Sequence, residues 1–174
     1  MNIVLTGFMG TGKTAVGKKL AKELKMQYVD TDAMIEEDTG MSISKIFKKF
    51  GESGFRDLET KVVKCVGMLD NFVIATGGGV VLREENMEEL ERHGVVICLS
   101  ASAKVIFART SENKSRPLLA EAEDAKKKIR ELLQSRQSFY QRADFSIDTS
   151  ELDTDSIVAK IIDFVKKYQG RSKK

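Results

Sequence analysis

Proline, histidine and cysteine are all scarce in this 174-residue chain, which has one Pro, one His and two Cys. Cys65 and Cys98 stand far apart without metal-ligand spacing, and Cys98 lies in the apolar run 95–99, where a thiol packs as a small core residue. A reduced, cytoplasmic protein is the expectation. The only histidine, His93, precedes Gly94 at an expected helix end and serves the helix dipole there. Zinc hydrolase and histidine-rich metal sites lose their support. No apolar stretch approaches the ~20 residues that span a bilayer. The first residues lack a basic region, so neither a membrane segment nor a signal peptide is expected. Nor is one sign of charge in large excess: 29 basic residues face 26 acidic ones, a net +3. Much of that excess sits in the tail 166–174, which reads as a solvated terminus and not as a nucleic-acid surface.

What is present suits one domain spanning 1–174, since 41% hydrophobic and 32% charged residues supply a core and a solvated surface. Short apolar runs at 2–6, 27–30, 72–76, 95–100 and 144–148 alternate with stretches of helical period. Val16, Leu20 and Leu24 mark one helical face, Met87 and Leu90 another, Val105 and Ala108 a third, and Ile157, Ile161, Phe164 and Tyr168 the last. The pattern predicts an α/β three-layer sandwich: five parallel strands with helices on both faces. Two stretches interrupt it. Residues 32–69 are helical throughout, roughly three helices broken at Gly40 and at 51–54. Residues 110–124 are polar and aperiodic and contain the only proline, Pro117, so they read as a lid or binding loop. A mostly polar helix exterior makes a monomer the expectation.

Residues 7–14, Gly-Phe-Met-Gly-Thr-Gly-Lys-Thr, match the pattern G-x-x-x-x-G-K-[ST] in full, between an apolar strand and an amphipathic helix. Such a loop curls its backbone N–H groups around phosphate oxygens at a helix N-terminus. Gly10, Thr11, Gly12, Lys13, Thr14 and Ala15 are therefore the expected ATP-phosphate contacts. Lys13 would reach the β- and γ-phosphates, and the Thr14 hydroxyl would ligate Mg²⁺.

Asp30-Thr31-Asp32 ends the second strand, at the sheet edge where ligands bind. Acids there can hold a hydrated metal or accept a proton from an attacking hydroxyl; a helix N-cap is the competing account for Asp32. Thr76-Gly77-Gly78-Gly79 ends the third strand, with no acid to act as a Walker-B carboxylate, so Asp30 would supply that metal role. Its glycines bring bare backbone close to a ligand or simply make a flexible turn. Arginines number nine against twenty lysines, which makes their positions informative. Arg136 falls on the stripe Ile129, Leu133, Arg136, Tyr140, which turns a cation inward, costly unless paired. Arg56 lies three residues before Glu59. The two arginines form either a fork for a substrate carboxylate or phosphate, with Glu59 orienting Arg56, or Arg56 and Glu59 make an ordinary intrahelical pair.

Together the phosphate loop, Asp30-Thr31-Asp32, the segment 51–59 (Gly-Glu-Ser-Gly-Phe-Arg-Asp-Leu-Glu), Thr76-Gly77-Gly78-Gly79, Arg116-Pro117-Leu118-Leu119 and Arg136…Tyr140 resemble the shikimate kinase family. The resemblance runs from about Ile3 to about Thr149, in order and at matching separations. It implies a five-stranded parallel sheet in the order 2-3-1-4-5 and transfer of the ATP γ-phosphoryl group to the 3-hydroxyl of shikimate. It further implies that Asp30 holds Mg²⁺ through water and that Asp32 binds the shikimate hydroxyls and acts as base. Arg56 and Arg136 would grip the carboxylate, with Gly77, Gly78 and Gly79 lining the substrate and Gly78 adding a backbone contact. Phe47 and Phe55 would wall the substrate, Arg109 would stack on adenine, and Arg116 would close on the phosphates from the lid. In one departure, the turn 149–152 reads Thr-Ser-Glu-Leu where some members carry an arginine near adenine. Adenine recognition there would rest on backbone or other groups. A nucleoside-monophosphate or gluconate-type kinase on the same fold is the nearest rival, and a non-catalytic nucleotide-binding module the rival from another class.

Overall fold

The computed structural model describes residues 1–111, 117–120 and 124–171. Five strands, β1 (Asn2–Thr6), β2 (Gln27–Asp30), β3 (Phe72–Ala75), β4 (Gly94–Ser100) and β5 (Phe145–Asp148), form one parallel sheet in the order β2-β3-β1-β4-β5. β1 is central, pairing Ile3 with Val73 on one side and with Val95 on the other. Strand ends differ from the apolar runs by a residue. Thr76 has left the ladder, Gly94 has joined it, and Asp144 instead accepts a hydrogen bond from the Val96 amide at 2.8 Å.

Alternation along the strands divides the core. Ile3, Leu5, Val95, Ile97 and Ile147 pack on one face against Val16 and Leu20 of α1 (Lys13–Leu24) and Ile157 and Ile161 of α8 (Thr154–Arg171). Val4, Ile74 and Val96 point the opposite way, against Val62, Val63 and Val66 of α3 (Ile43–Gly67) and Met87 and Leu90 of α4 (Glu84–His93). Strands buried on both faces need apolar residues at every position, which explains runs where a half-exposed strand would alternate. A smaller cluster joins Phe8, Met9, Ile106 and Ile129, under the loop after β1.

The insertion after β2 begins one residue earlier than expected. α2 (Thr31–Thr39) is capped by Asp30, whose carboxylate accepts from the Asp32 amide at 3.1 Å, so Asp32 lies inside the helix and is not its cap. Gly40 closes α2 in the left-handed region, and α3 changes direction at Gly51 (φ 71°, ψ −179°), with no second break at Gly54. The inward face of α5 (Ala103–Thr110) also differs: Ile106 and Thr110 are buried, whereas Ala108 is exposed. Ile106 turns inward because the phosphate loop and α7 (Ala125–Tyr140), two partners remote in sequence, meet there. Within the stretch read as aperiodic, residues 117–120 form the short helix α6 (Pro117–Ala120). Arg116 lies outside the described residues. No helix among the described residues is long and apolar enough to cross a membrane.

Candidate active site

The loop from β1 to α1 is shaped by glycine. Gly7 has φ 130°, and a Cβ there would stand 2.0 Å from the Leu99 carbonyl oxygen of β4. Any side chain would push the loop off the sheet. Gly12 caps α1 in the left-handed region, so the helix starts at Lys13 with its N–H groups facing the loop. The Lys13 ammonium donates to the carbonyls of Gly7 (2.7 Å) and Phe8 (2.9 Å), and Thr11 braces the loop through its hydroxyl on Phe8 O (2.8 Å). A cavity of about 270 Å³ opens here, lined by Gly10, Gly12, Lys13, Thr14 and Ala15 among others.

At its edge the Thr14 hydroxyl donates to the Asp30 carboxylate at 3.1 Å, and the Tyr28 hydroxyl donates to the same oxygen at 3.2 Å. Burial, and the Asp30 charge beside it, push the Tyr28 phenol well above its ordinary range, so it remains a donor. An oxygen-only pair of this kind fits a hard divalent cation. Among the described residues no group of three or more acidic, His or Cys side chains converges on a cation. The remaining ligands would be phosphate oxygens and water, which is how Mg²⁺ is commonly held.

A second cavity, about 340 Å³, adjoins the first, and Met9, Thr14, Asp30, Asp32 and Gly78 line both. Its far wall carries Phe47, Phe55, Arg56, Glu59, Gly77, Gly79 and Arg136. α3 supplies Arg56, only 7% exposed, which donates to Glu59 at 2.7 Å and Glu52 at 3.0 Å. Glu59 is fully buried at 0% exposure. Burial drives its carboxyl above the ordinary range, nearby Asp32 adds to that, and Arg56 only partly offsets it. For Arg56 the balance reverses: burial works against the charge, but Glu59 and Glu52 outweigh it and hold the guanidinium charged.

α7 delivers Arg136 inward as its stripe implies, 4% exposed, with its guanidinium 5.8 Å from the Phe8 ring centroid and donating to Gly78 O at 3.4 Å. One turn on, the Tyr140 hydroxyl donates to the same carbonyl at 2.5 Å. Burial pushes that phenol up to about 12, so it too stays protonated. The glycine turn is packed, not merely flexible. A Cβ on Gly77 would lie 2.7 Å from carboxylate oxygens of both Asp32 and Glu59, and one on Gly79 would lie 2.2 Å from the Arg56 guanidinium. Phe47 and Phe55 meet at 4.8 Å between ring centroids beside Arg56.

Arg109 stands apart from the second cavity, at the outer end of the phosphate loop, where it donates to Gly10 O and to Thr149. Thus Lys13, Thr14, Asp30, Asp32, Phe47, Phe55, Arg56, the three glycines and Arg136 come together, with Gly10, Thr11, Gly12, Ala15 and Arg109 along the adjoining loop. Tyr140, Glu52 and Phe8 were not singled out as site residues from the sequence. The i+4 spacing of Tyr140 from Arg136 was the available signal for the first.

A parallel sheet in this order, with a phosphate loop after its central strand and an acid- and arginine-lined cavity beside it, defines a P-loop kinase. The family model described as shikimate kinase matches residues 9–166. Relatives include shikimate kinases of Thermodesulfovibrio yellowstonii, 53% identical over 98% of this chain and 96% of that protein, and of Caldanaerobacter subterraneus subsp. tengcongensis, 49% identical over 98% and 99%. Among solved structures, the shikimate kinase from Acinetobacter baumannii in complex with shikimate superposes with a TM-score of 0.92 at 38% identity, covering 96% of this chain and 93% of that one. The chain belongs to the shikimate kinase family and is an ATP-dependent kinase.

Proposed function

We propose that this chain transfers the γ-phosphoryl group of ATP to the 3-hydroxyl of shikimate in the presence of Mg²⁺, giving shikimate 3-phosphate and ADP. One observation carries the reading: the cavity holding Arg56 and Arg136 shares the wall Thr14, Asp30, Asp32 and Gly78 with the phosphate-loop cavity. An acceptor gripped by its carboxylate between the arginines would therefore point its hydroxyls at the phosphates. Two charge-assisted guanidinium contacts suit a carboxylate, and Glu59 and Glu52 hold Arg56 in one orientation before substrate arrives.

Asp32 lies at the junction and serves as the proton acceptor. The acceptor oxygen bonds to the γ-phosphorus as the bond from phosphorus to the ADP oxygen breaks, and the hydroxyl proton passes to the Asp32 carboxylate. Lys13 exchanges its loop carbonyls for β- and γ-phosphate oxygens and stabilises the negative charge gathering there. Thr14 and Asp30 would hold a magnesium ion, which would supply positive charge to neutralise the phosphates. Arg109 borders the nucleobase from the outer end of the loop. We infer further that residues 1–174 form one domain that works as a cytoplasmic monomer without nucleic acid or membrane, in keeping with the single sheet and the small net charge of +3.

The test is a coupled ADP-release assay with shikimate, gluconate and a panel of nucleoside monophosphates. Turnover with shikimate alone supports the reading. Faster turnover with gluconate or a nucleotide overturns it.

A further inference from the structure

Thr149 lies in the turn after β5 and is 1% exposed. Its side chain touches three elements at once. The hydroxyl is within 3.1 Å of Thr11 O in the phosphate loop and 3.0 Å of Ser100 O at the end of β4. A hydroxyl has one proton, and both of these neighbours are acceptors, so the proton is committed to that side. The oxygen's lone pairs are left for a donor. Arg109 supplies it, through Nη1 at 3.2 Å, while its Nη2 donates to Thr149 O at 2.9 Å.

A further bond from Arg109 Nη1 reaches Gly10 O at 3.2 Å. The loop abuts α5 so closely that a Cβ on Gly10 would stand 2.8 Å from the Thr110 methyl. Guanidinium N–H bonds lie in the plane of the group, so these three acceptors hold its edge. Residue 109 is nevertheless exposed, and its bond to Gly10 O lies at the surface beside the phosphate loop, so bonds along the edge are compatible with an open face. A planar cation held by its edge with an open face is the arrangement that stacks on an aromatic ring.

We propose that Thr149 is a positioning residue for nucleotide binding, its hydroxyl fixing the Arg109 guanidinium so that its face meets the nucleobase. The inference rests on the reading of Arg109 as the nucleobase neighbour. Recognition at the base end is thereby built from a buried hydroxyl and an arginine 40 residues apart in sequence, in a turn that offers no arginine of its own.

Calorimetric titration of ADP and of inorganic tripolyphosphate tests both levels, on the full chain and its variants Arg109→Ala, Thr149→Val, Thr149→Ala, Thr149→Ser and Arg109→Ala/Thr149→Val. Thermal unfolding of each variant identifies those that are folded. Thr149→Ala removes the oxygen without added bulk and stands in if the valine variant fails to fold. Loss of one hydrogen bond to a charged group should weaken ADP about tenfold. Thr149→Ser should restore binding, tripolyphosphate should be unaffected throughout, and the double variant should match Arg109→Ala. If Arg109→Ala binds ADP like the wild type, the nucleobase reading of Arg109 fails and the inference with it. If Arg109→Ala weakens ADP but Thr149→Val leaves it unchanged, adds its full effect in the double variant or weakens tripolyphosphate equally, Arg109 stands and the role of Thr149 is refuted.

Discussion

Gly79→Ala isolates the geometry of the acceptor cavity from backbone effects. Gly79 has φ −107° and ψ 1°, which an alanine adopts without strain, so the added methyl acts by volume alone. Its Cβ would lie 2.2 Å from Arg56 Nη2 and 2.4 Å from Cζ and Nη1. Non-bonded contact needs about 3.5 Å, so the guanidinium must retreat by roughly 1 Å. It cannot do so freely, because Glu59 holds Nη1 at 2.7 Å and Glu52 holds Nη2 at 3.0 Å. Moving away stretches the bond to a fully buried carboxylate and draws the cation from the point where a substrate carboxylate would sit. A misplacement of that size costs on the order of 100-fold. Gly79→Ala should thus raise the KM for shikimate by about that factor, measured by coupled ADP release. The Kd for ADP should be unchanged by calorimetry, since the phosphate loop is untouched. An unaltered shikimate KM in a folded variant would refute the argument that this glycine exists to admit Arg56.

Tyr140→Phe removes the 2.5 Å bond to Gly78 O, and the loss of a neutral hydrogen bond, about 1 kcal/mol, should raise the shikimate KM several-fold with ATP unaffected. Asp32→Asn should depress kcat far more than nucleotide affinity, whereas Asp30→Asn should raise the Mg²⁺ concentration needed for half-maximal rate; identical metal titrations would remove that division of labour. Glu59 supplies a pH test. Burial raises its folded-state pKa, so its contribution to stability is greatest below the ordinary carboxylate value of about 4.3 and is lost as pH rises through the folded value. The melting temperature of the wild type relative to Glu59→Gln should therefore fall with rising pH across that window, and a constant difference would contradict the burial argument.

The elements most legible in the sequence are those whose determinants are contiguous. The phosphate loop is a run of eight residues, and the inner strands β1, β3 and β4 announce themselves because they are buried on both faces, leaving apolar runs such as 95–99, whereas the edge strands β2 and β5 are only partly buried. Arg136 was legible because a lone cation on an apolar stripe has few uses. The face of α5 was not: Ile106 is buried by the phosphate loop and α7, contacts that local periodicity does not encode. Asp30 and Asp32 could not be told apart as helix cap and helix member, since either acid two residues apart could serve, and only the Asp30 carboxylate meeting the Asp32 amide decides it. Tyr140 on Gly78, and Thr149 on Thr11 and Arg109, are bonds between residues 40 to 138 positions apart. Those are invisible to any reading confined to a local window.

The central position of β1 bears on how the chain is made. β1 is flanked on both sides by strands that lie far along the sequence: Ile3 must wait for Val73 on one edge and for Val95 on the other. Until then the opening segment carries two bare hydrogen-bonding edges and a run of apolar side chains with nothing to cover them, the condition that exposes nascent parallel sheets to aggregation. The phosphate loop is anchored to that same strand and leans on the carbonyl of Leu99. Its shape therefore depends on β4 docking beside β1, so the loop takes its form only once that long-range pairing is made.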